Sequence, residues 1–148
     1  MRKSFIIFLF FISACGYQPI FKSNDPNNFI FKKIELIGDT DINRKIVSAL
    51  SLKEKSTDNT LNEIFIESSK EVISASKNSK GQVTSFKSTV NLIVTIKFKD
   101  EILKNKIFIK NFSYDNSENK FKLAEYQNQV QNNLTEKIIE ELIIFLNL

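Results

Sequence analysis

The residue types able to do chemistry are few. A single thiol, Cys15, stands just past an apolar run, and the sequence of 148 residues holds no His. Without imidazole there is no Ser-His-Asp or Cys-His nucleophile pair, no histidine metal ligand and no general base that ordinarily titrates near neutrality. One Cys excludes a disulfide within the chain and any cysteine-cluster zinc or iron–sulfur site. Carboxylates remain, with Asp100/Glu101 and Glu140/Glu141 as adjacent pairs. Acid–base work by two carboxylates needs environments that hold their pKa values apart. Neighbours on a helix point about 100° apart, and a pair in a turn is solvated. The expectation is a protein that is not an enzyme and uses no metal or cofactor.

The surroundings of Cys15 say what its thiol is for. Arg2 and Lys3 form a basic start, Phe5 to Ile12 is unbroken apolar sequence, and Ser13-Ala14 precede the Cys. This is the layout of a secretory signal. As a helix, eight residues reach about 12 Å, against a hydrocarbon core of about 30 Å, so the run is too short to span. Ile12-Ser13-Ala14-Cys15-Gly16 resembles the lipobox of bacterial lipoproteins. That resemblance implies removal of residues 1–14, a thioether from Cys15 to diacylglycerol and an acylated new N-terminus. Several acyl chains make a durable anchor, at about 0.8 kcal/mol per buried CH₂. Gly16 rather than Asp after the Cys implies sorting to the outer membrane. The ordinary alternative is a secretory signal with an incidental Cys.

The rest of the chain must supply whatever the anchor holds in place. Residues 15–28 read as the lipidated Cys and a tether, polar over 22–28 and containing Pro26. Residues 29–148 read as one α+β domain. A first strand covers 29–36 and ends at Gly38. Asp39, Thr40 and Asp41 offer capping oxygens to a helix over 42–52, with Ile46, Ala49 and Leu50 on one face. A polar loop follows around 54–59. Alternation begins at Asn62 and continues through Val72-Ile73, and 77–81 is a turn signal. Phe86, Val90, Leu92, Val94, Ile96 and Phe98 then share one parity, with Lys87, Thr89, Asn91, Thr95, Lys97 and Lys99 on the other. Asp100-Glu101 turns into a strand over 102–114, apolar on both parities at Ile107-Phe108-Ile109. A helix over 120–146 carries the stripe Leu123, Tyr126, Val130, Leu134, Ile138 and Leu142, widened near its end by Ile139, Ile143, Ile144 and Phe145. The order β-α-β-β-β-α predicts a small four-stranded sheet with two helices packed on one face.

Charge is distributed unevenly. A chain beginning at Cys15 has 19 bases and 17 acids, too small an excess to suggest nucleic acid. Between residues 77 and 110, however, eight Lys face two acids. Lys87, Lys97, Lys99, Lys104 and Lys106 are the candidates for binding lipopolysaccharide or another anionic group. The competing reading is a sheet edge defended against aggregation by Lys. No glycine-rich phosphate loop is available, since Gly occurs only at 16, 38 and 81.

The lipobox running into Cys15-Gly16-Tyr17-Gln18-Pro19-Ile20-Phe21 resembles the start of the LPS-assembly lipoprotein (LptE-like) family. So does the element order, and Phe112-Ser113-Tyr114 ahead of Ala124-Glu125-Tyr126 is similar to that family's C-terminal portion. The resemblance implies an outer-membrane lipoprotein facing the periplasm. It would plug and help assemble a large β-barrel (an LptD-like LPS-assembly protein) that inserts lipopolysaccharide into the outer leaflet. The family's lipopolysaccharide-contacting positions match no motif here, so the five lysines rest on charge alone. A different class stays open: a periplasm-facing carrier lipoprotein sheltering a lipid or another lipoprotein in its own cavity.

Overall fold

In the computed structural model, which describes residues 29–148, the chain runs β1 (Ile30–Phe31), β2 (Lys33–Gly38), α1 (Thr40–Leu50), β3 (Lys53–Glu54), β4 (Glu63–Lys77), β5 (Val83–Phe98), β6 (Glu101–Asp115) and α2 (Lys120–Asn147). Cys15, the signal segment and the tether lie outside the described residues. Four strands form one sheet in the order β2-β4-β5-β6. The long strands β4, β5 and β6 are an antiparallel meander, and β2 joins β4 in parallel. Parallel neighbours need a crossover connection, and α1 supplies it. The fold is α+β, with a four-stranded sheet and two helices.

The period-two pattern of β5 decides which face is covered. Ser88, Val90, Leu92, Val94 and Ile96 are buried. Their register partners Ile64, Ile66 and Ser68 of β4 and Phe108 of β6 are buried with them. Both helices add to the same cluster, α1 through Ile42, Ile46 and Leu50, and α2 through Val130, Leu134, Ile138 and Leu142. The i, i+4, i+8 spacing of the three α1 residues is the stripe that packs, and Ala49 is exposed. Tyr126 is 43% exposed yet not idle, meeting Tyr114 edge-on at 5.5 Å. Ile144 also points out, whereas Ile139 is buried and Ile143 and Phe145 pack against the core.

Register resolves the run that is apolar on both parities. Phe108 pairs with Leu92 and turns inward; Ile107 and Ile109 face outward, each 57% exposed. The loop expected around 54–59 is preceded by β3, which pairs with β1 through Ile30↔Lys53 and Phe31↔Glu54. The strand expected over 29–36 divides at Lys32 into β1 and β2, which belong to different sheets, and β3 at two residues is too short to carry a periodic signal. Helix length explains the remaining exposure. At about 1.5 Å per residue, the 28 residues of α2 run about 42 Å along the meander, whereas the 11 residues of α1 shield only the first part of β4. From Ser69 to Lys77 every residue of β4 is exposed, Val72 and Ile73 included.

A small polar junction locks α1 onto the sheet. Asp39 caps the helix, its Oδ1 accepting from the N–H groups of Asp41 and Ile42 at 3.0 Å. Gly38 precedes it at φ 96°, where a side chain is strained and a Cβ would overlap the Ser68 carbonyl. The Ser68 hydroxyl in turn lies 2.7 Å from Asn43 Oδ1, and both residues are buried.

Two outcomes follow from this packing. Burial works to raise the pKa of Asp39, but hydrogen bonds from Ile42, Lys70 and Asp41 outweigh it and hold the carboxyl below its ordinary 3.8. Such a group stabilises the fold above its unfolded pKa and loses that contribution as pH falls through its folded value. Asp39→Asn keeps a capping acceptor, so urea unfolding of the variant should depend less on pH below about 4 than the parent; an unchanged acid dependence contradicts this. On β6, Phe108→Ala should cost about 3–5 kcal/mol, whereas Ile107→Lys should change stability by no more than about 0.5 kcal/mol. Similar losses from both substitutions would mean that the faces are assigned wrongly.

Candidate functional site

The five candidate lysines are placed by three devices: strand parity, the β5–β6 turn and the last turns of α2. Lys87 and Lys97 share the outward parity of β5 and therefore the uncovered sheet face. They do not share a site. Ten residues at about 3.4 Å each put them roughly 34 Å apart along the strand, too far for one headgroup. Lys87 sits between Ile73 and Ser113, whereas Lys97 sits between Glu63 and Ile102. The Nζ of Lys97 stands 4.5 Å from the centroid of Phe65, whose ring also meets Lys33 at 5.4 Å. Glu35 binds that Lys33 and raises its pKa.

Lys99 belongs to neither face. Lys99 and Asp100 have φ of 46° and 69°, the backbone of a tight hairpin turn of the kind Asn-Gly favours. A Lys in this region is unusual, because its Cβ crowds the backbone. Its ammonium rests 5.1 Å from the Phe98 centroid. Lys104 and Lys106 follow on the inward parity of β6, beside the end of α2. Lys104 lies 5.6 Å from the Phe145 ring, and Lys106 lies 4.8 Å from Phe108 and 5.5 Å from Phe145. Four of the five therefore gather at one end of the sheet, around its edge, and Lys87 is alone at the other. The signal that could have separated them was the parity shared by Lys104, Lys106 and Phe108.

Lys110, one step further along the inward parity, is engaged by Glu141 of α2. That contact also accounts for one of the two carboxylate pairs considered for catalysis. Asp100 and Glu101 are exposed in the turn. Among the described residues no three His, Cys, Asp or Glu come together as a metal site. Asp58 has a pKa lowered to about 2 by the Thr60 hydroxyl and N–H and by Lys55. Its role is to pin the loop ahead of β4, at the same end as the four lysines.

A second feature with binding capacity lies on the sheet itself. The helices cover one sheet face; among the described residues nothing covers the opposite face or pairs with the outer edge of β6. That open face carries Glu35, Glu67, Thr95 and Asn105, but Ile37, Ile93, Ile107 and Ile109 cross it as an apolar band, and Phe65 and Ile73 add apolar area on β4. An open edge of 15 residues with apolar neighbours invites pairing or cover. On the helical side, a polar surface cleft of about 540 Å³ separates α1 from α2, and Lys45 bridges it to Asn132 at 2.7 Å.

No protein-family model matches the sequence, and no curated protein matches it either. Solved structures do share the fold. A minor lipoprotein from Acinetobacter baumannii superposes with a TM-score of 0.56 at 12% identity, over 78% of this chain and 90% of that one. Lipoprotein B from Nitrosomonas europaea gives 0.55 at 11% identity, over 83% of this chain and 87% of its own. At such identities the likeness is one of fold: residues 29–148 have an architecture that solved bacterial lipoproteins also carry.

Proposed function

We propose that this chain is an outer-membrane lipoprotein, anchored through Cys15, that sits against the inside of a large β-barrel and supports its delivery of lipopolysaccharide to the outer leaflet. The observation that carries the reading is the sheet face left uncovered by either helix. The lumen of a large barrel is polar and hydrated, so a domain filling it should present charges, hydroxyls and amides with little apolar area. Most positions of the open face are of this kind, and its isoleucines and Phe65 offer apolar contact where the wall is less polar. The lipobox at 12–16, the Cys-Gly-Tyr-Gln-Pro opening and the shared lipoprotein fold support the same reading. The proposed action is binding and positioning, without catalysis.

The carrier alternative has less behind it. The helix-facing side of the sheet is filled by Val90, Leu92, Val94 and Phe108 packed against α1 and α2, so a lipid would have to displace core side chains.

Affinity purification of the tagged full-length chain in mild detergent, with a photoreactive residue in place of Ile107 or Ile109, tests the proposal. The expected result is an equimolar complex with one large outer-membrane β-barrel, crosslinked from both positions. A monodisperse monomer without a barrel would overturn it.

A further inference from the structure

The chain enters the folded domain at one end of the sheet, and that end has a composition of its own. Phe29 and Ile30 lie there with Leu103 and Leu146, around a shallow cleft of about 220 Å³. Ile30 is 45% exposed, Ile102 58%, Leu103 50% and the C-terminal Leu148 89%. Lys97, Lys99, Lys104 and Lys106 surround this group. Among the described residues none of the four is in a salt bridge; each rests on an aromatic ring instead. The opposite tip of the meander, residues 78–82, is polar throughout.

Lys99 adds an independent observation. Its turn favours Asn or Gly at φ 46°, yet the position holds a cation at the extreme tip of the hairpin. Backbone strain kept at an exposed tip points to use of the side chain.

We propose that this end of the domain docks on the surface of an anionic phospholipid bilayer. Ile102, Leu103 and Ile30 enter the boundary between headgroups and acyl chains, and the four lysines contact headgroup phosphates. An apolar tip ringed by cations is the composition that binds in this way. The chain outside the structure fits the same orientation. Thirteen residues separate Cys15 from Phe29, a reach of at most about 50 Å, and they join the domain at this end. The orientation rests on reading Cys15 as the anchor; the surface itself does not. Asp100 and Glu101 in the turn, Glu63 beside Lys97 and Asp58 in the neighbouring loop oppose the attraction, which limits its strength and makes it reversible.

The test is flotation of residues 16–148, which contain the entire core and carry no acyl group, with phosphatidylglycerol/phosphatidylethanolamine vesicles. The protein should float with these vesicles and not with phosphatidylcholine vesicles, and salt should release it. Lys97→Gln, Lys104→Gln and Lys106→Gln should each weaken binding about fivefold, and together about a hundredfold. Lys87→Gln, roughly 34 Å away along β5, should have no effect. Lys99→Asn should weaken binding while raising the unfolding temperature, a combination that a structural role for Lys99 would not give. Absence of flotation, equal flotation with neutral vesicles, or a loss from Lys87→Gln equal to that from Lys97→Gln would overturn the proposal. Neither a barrel nor an anchor takes part, so failure here leaves the proposed barrel partnership standing.

Discussion

Successive side chains of a strand point to opposite faces, and in β5 that alternation governs the whole domain. Its even positions are buried from Ser88 to Ile96, and its odd positions lie on the face without helices. β5 is central, bonded along its length to β4 and β6, so its parity is imposed on both neighbours through register. A shift of one residue would expose five buried positions and bury Lys87 and Lys97. The covered face exists because β5 has an apolar parity; the open face is the unavoidable remainder. Function, on the reading developed above, belongs to that remainder and to the end where the chain enters.

The helices turn this constraint into a rigid body with distinct ends. α1 is fixed by the Asp39 cap, the close passage of Gly38 under Ser68 and the Asn43–Ser68 contact. α2 runs back along the meander and delivers Phe145 beside Lys104 and Lys106. The last turn of α2 has no basic residue of its own, and cations near a helix C-terminus are favourable. The two β6 lysines supply that charge from the neighbouring strand while their aromatic seats leave the ammonium groups without carboxylate partners. The packing that finishes the core therefore also sets the electrostatic character of one end.

Much of this was legible in the residues. The alternation from Phe86 to Phe98, the cap at Asp39, the turn at 77–81 and the long amphipathic stripe of α2 each belong to a single local element, so local rules sufficed. The features that were not legible depend on pairing between distant segments. Ile107-Phe108-Ile109 is ambiguous until Phe108 is set against Leu92. The five lysines look like one basic stretch until strand length separates Lys87 from Lys97 and parity places Lys104 and Lys106 beside α2. Ala49, three residues past Ile46, falls near the packed face by helical spacing, but the i, i+4, i+8 series from Ile42 fills that stripe and leaves it exposed. The break at Lys32 that splits the strand expected over 29–36, and the two-residue β3 that pairs with its first part, are too short to leave a pattern.

The central claim is that the uncovered sheet face is open in the isolated domain and covered in its working state. The most direct measurement is thiol accessibility at Cys introduced for Ile107, compared between purified protein and native outer membranes. Cys15 serves as an internal control, since a sulfur held in a thioether has no thiol left to label. The account predicts fast labelling of the isolated domain, protection in membranes, and an unreactive Cys15 in membranes. Equal labelling of position 107 in both settings, or a Cys15 that reacts freely in membranes, would contradict it.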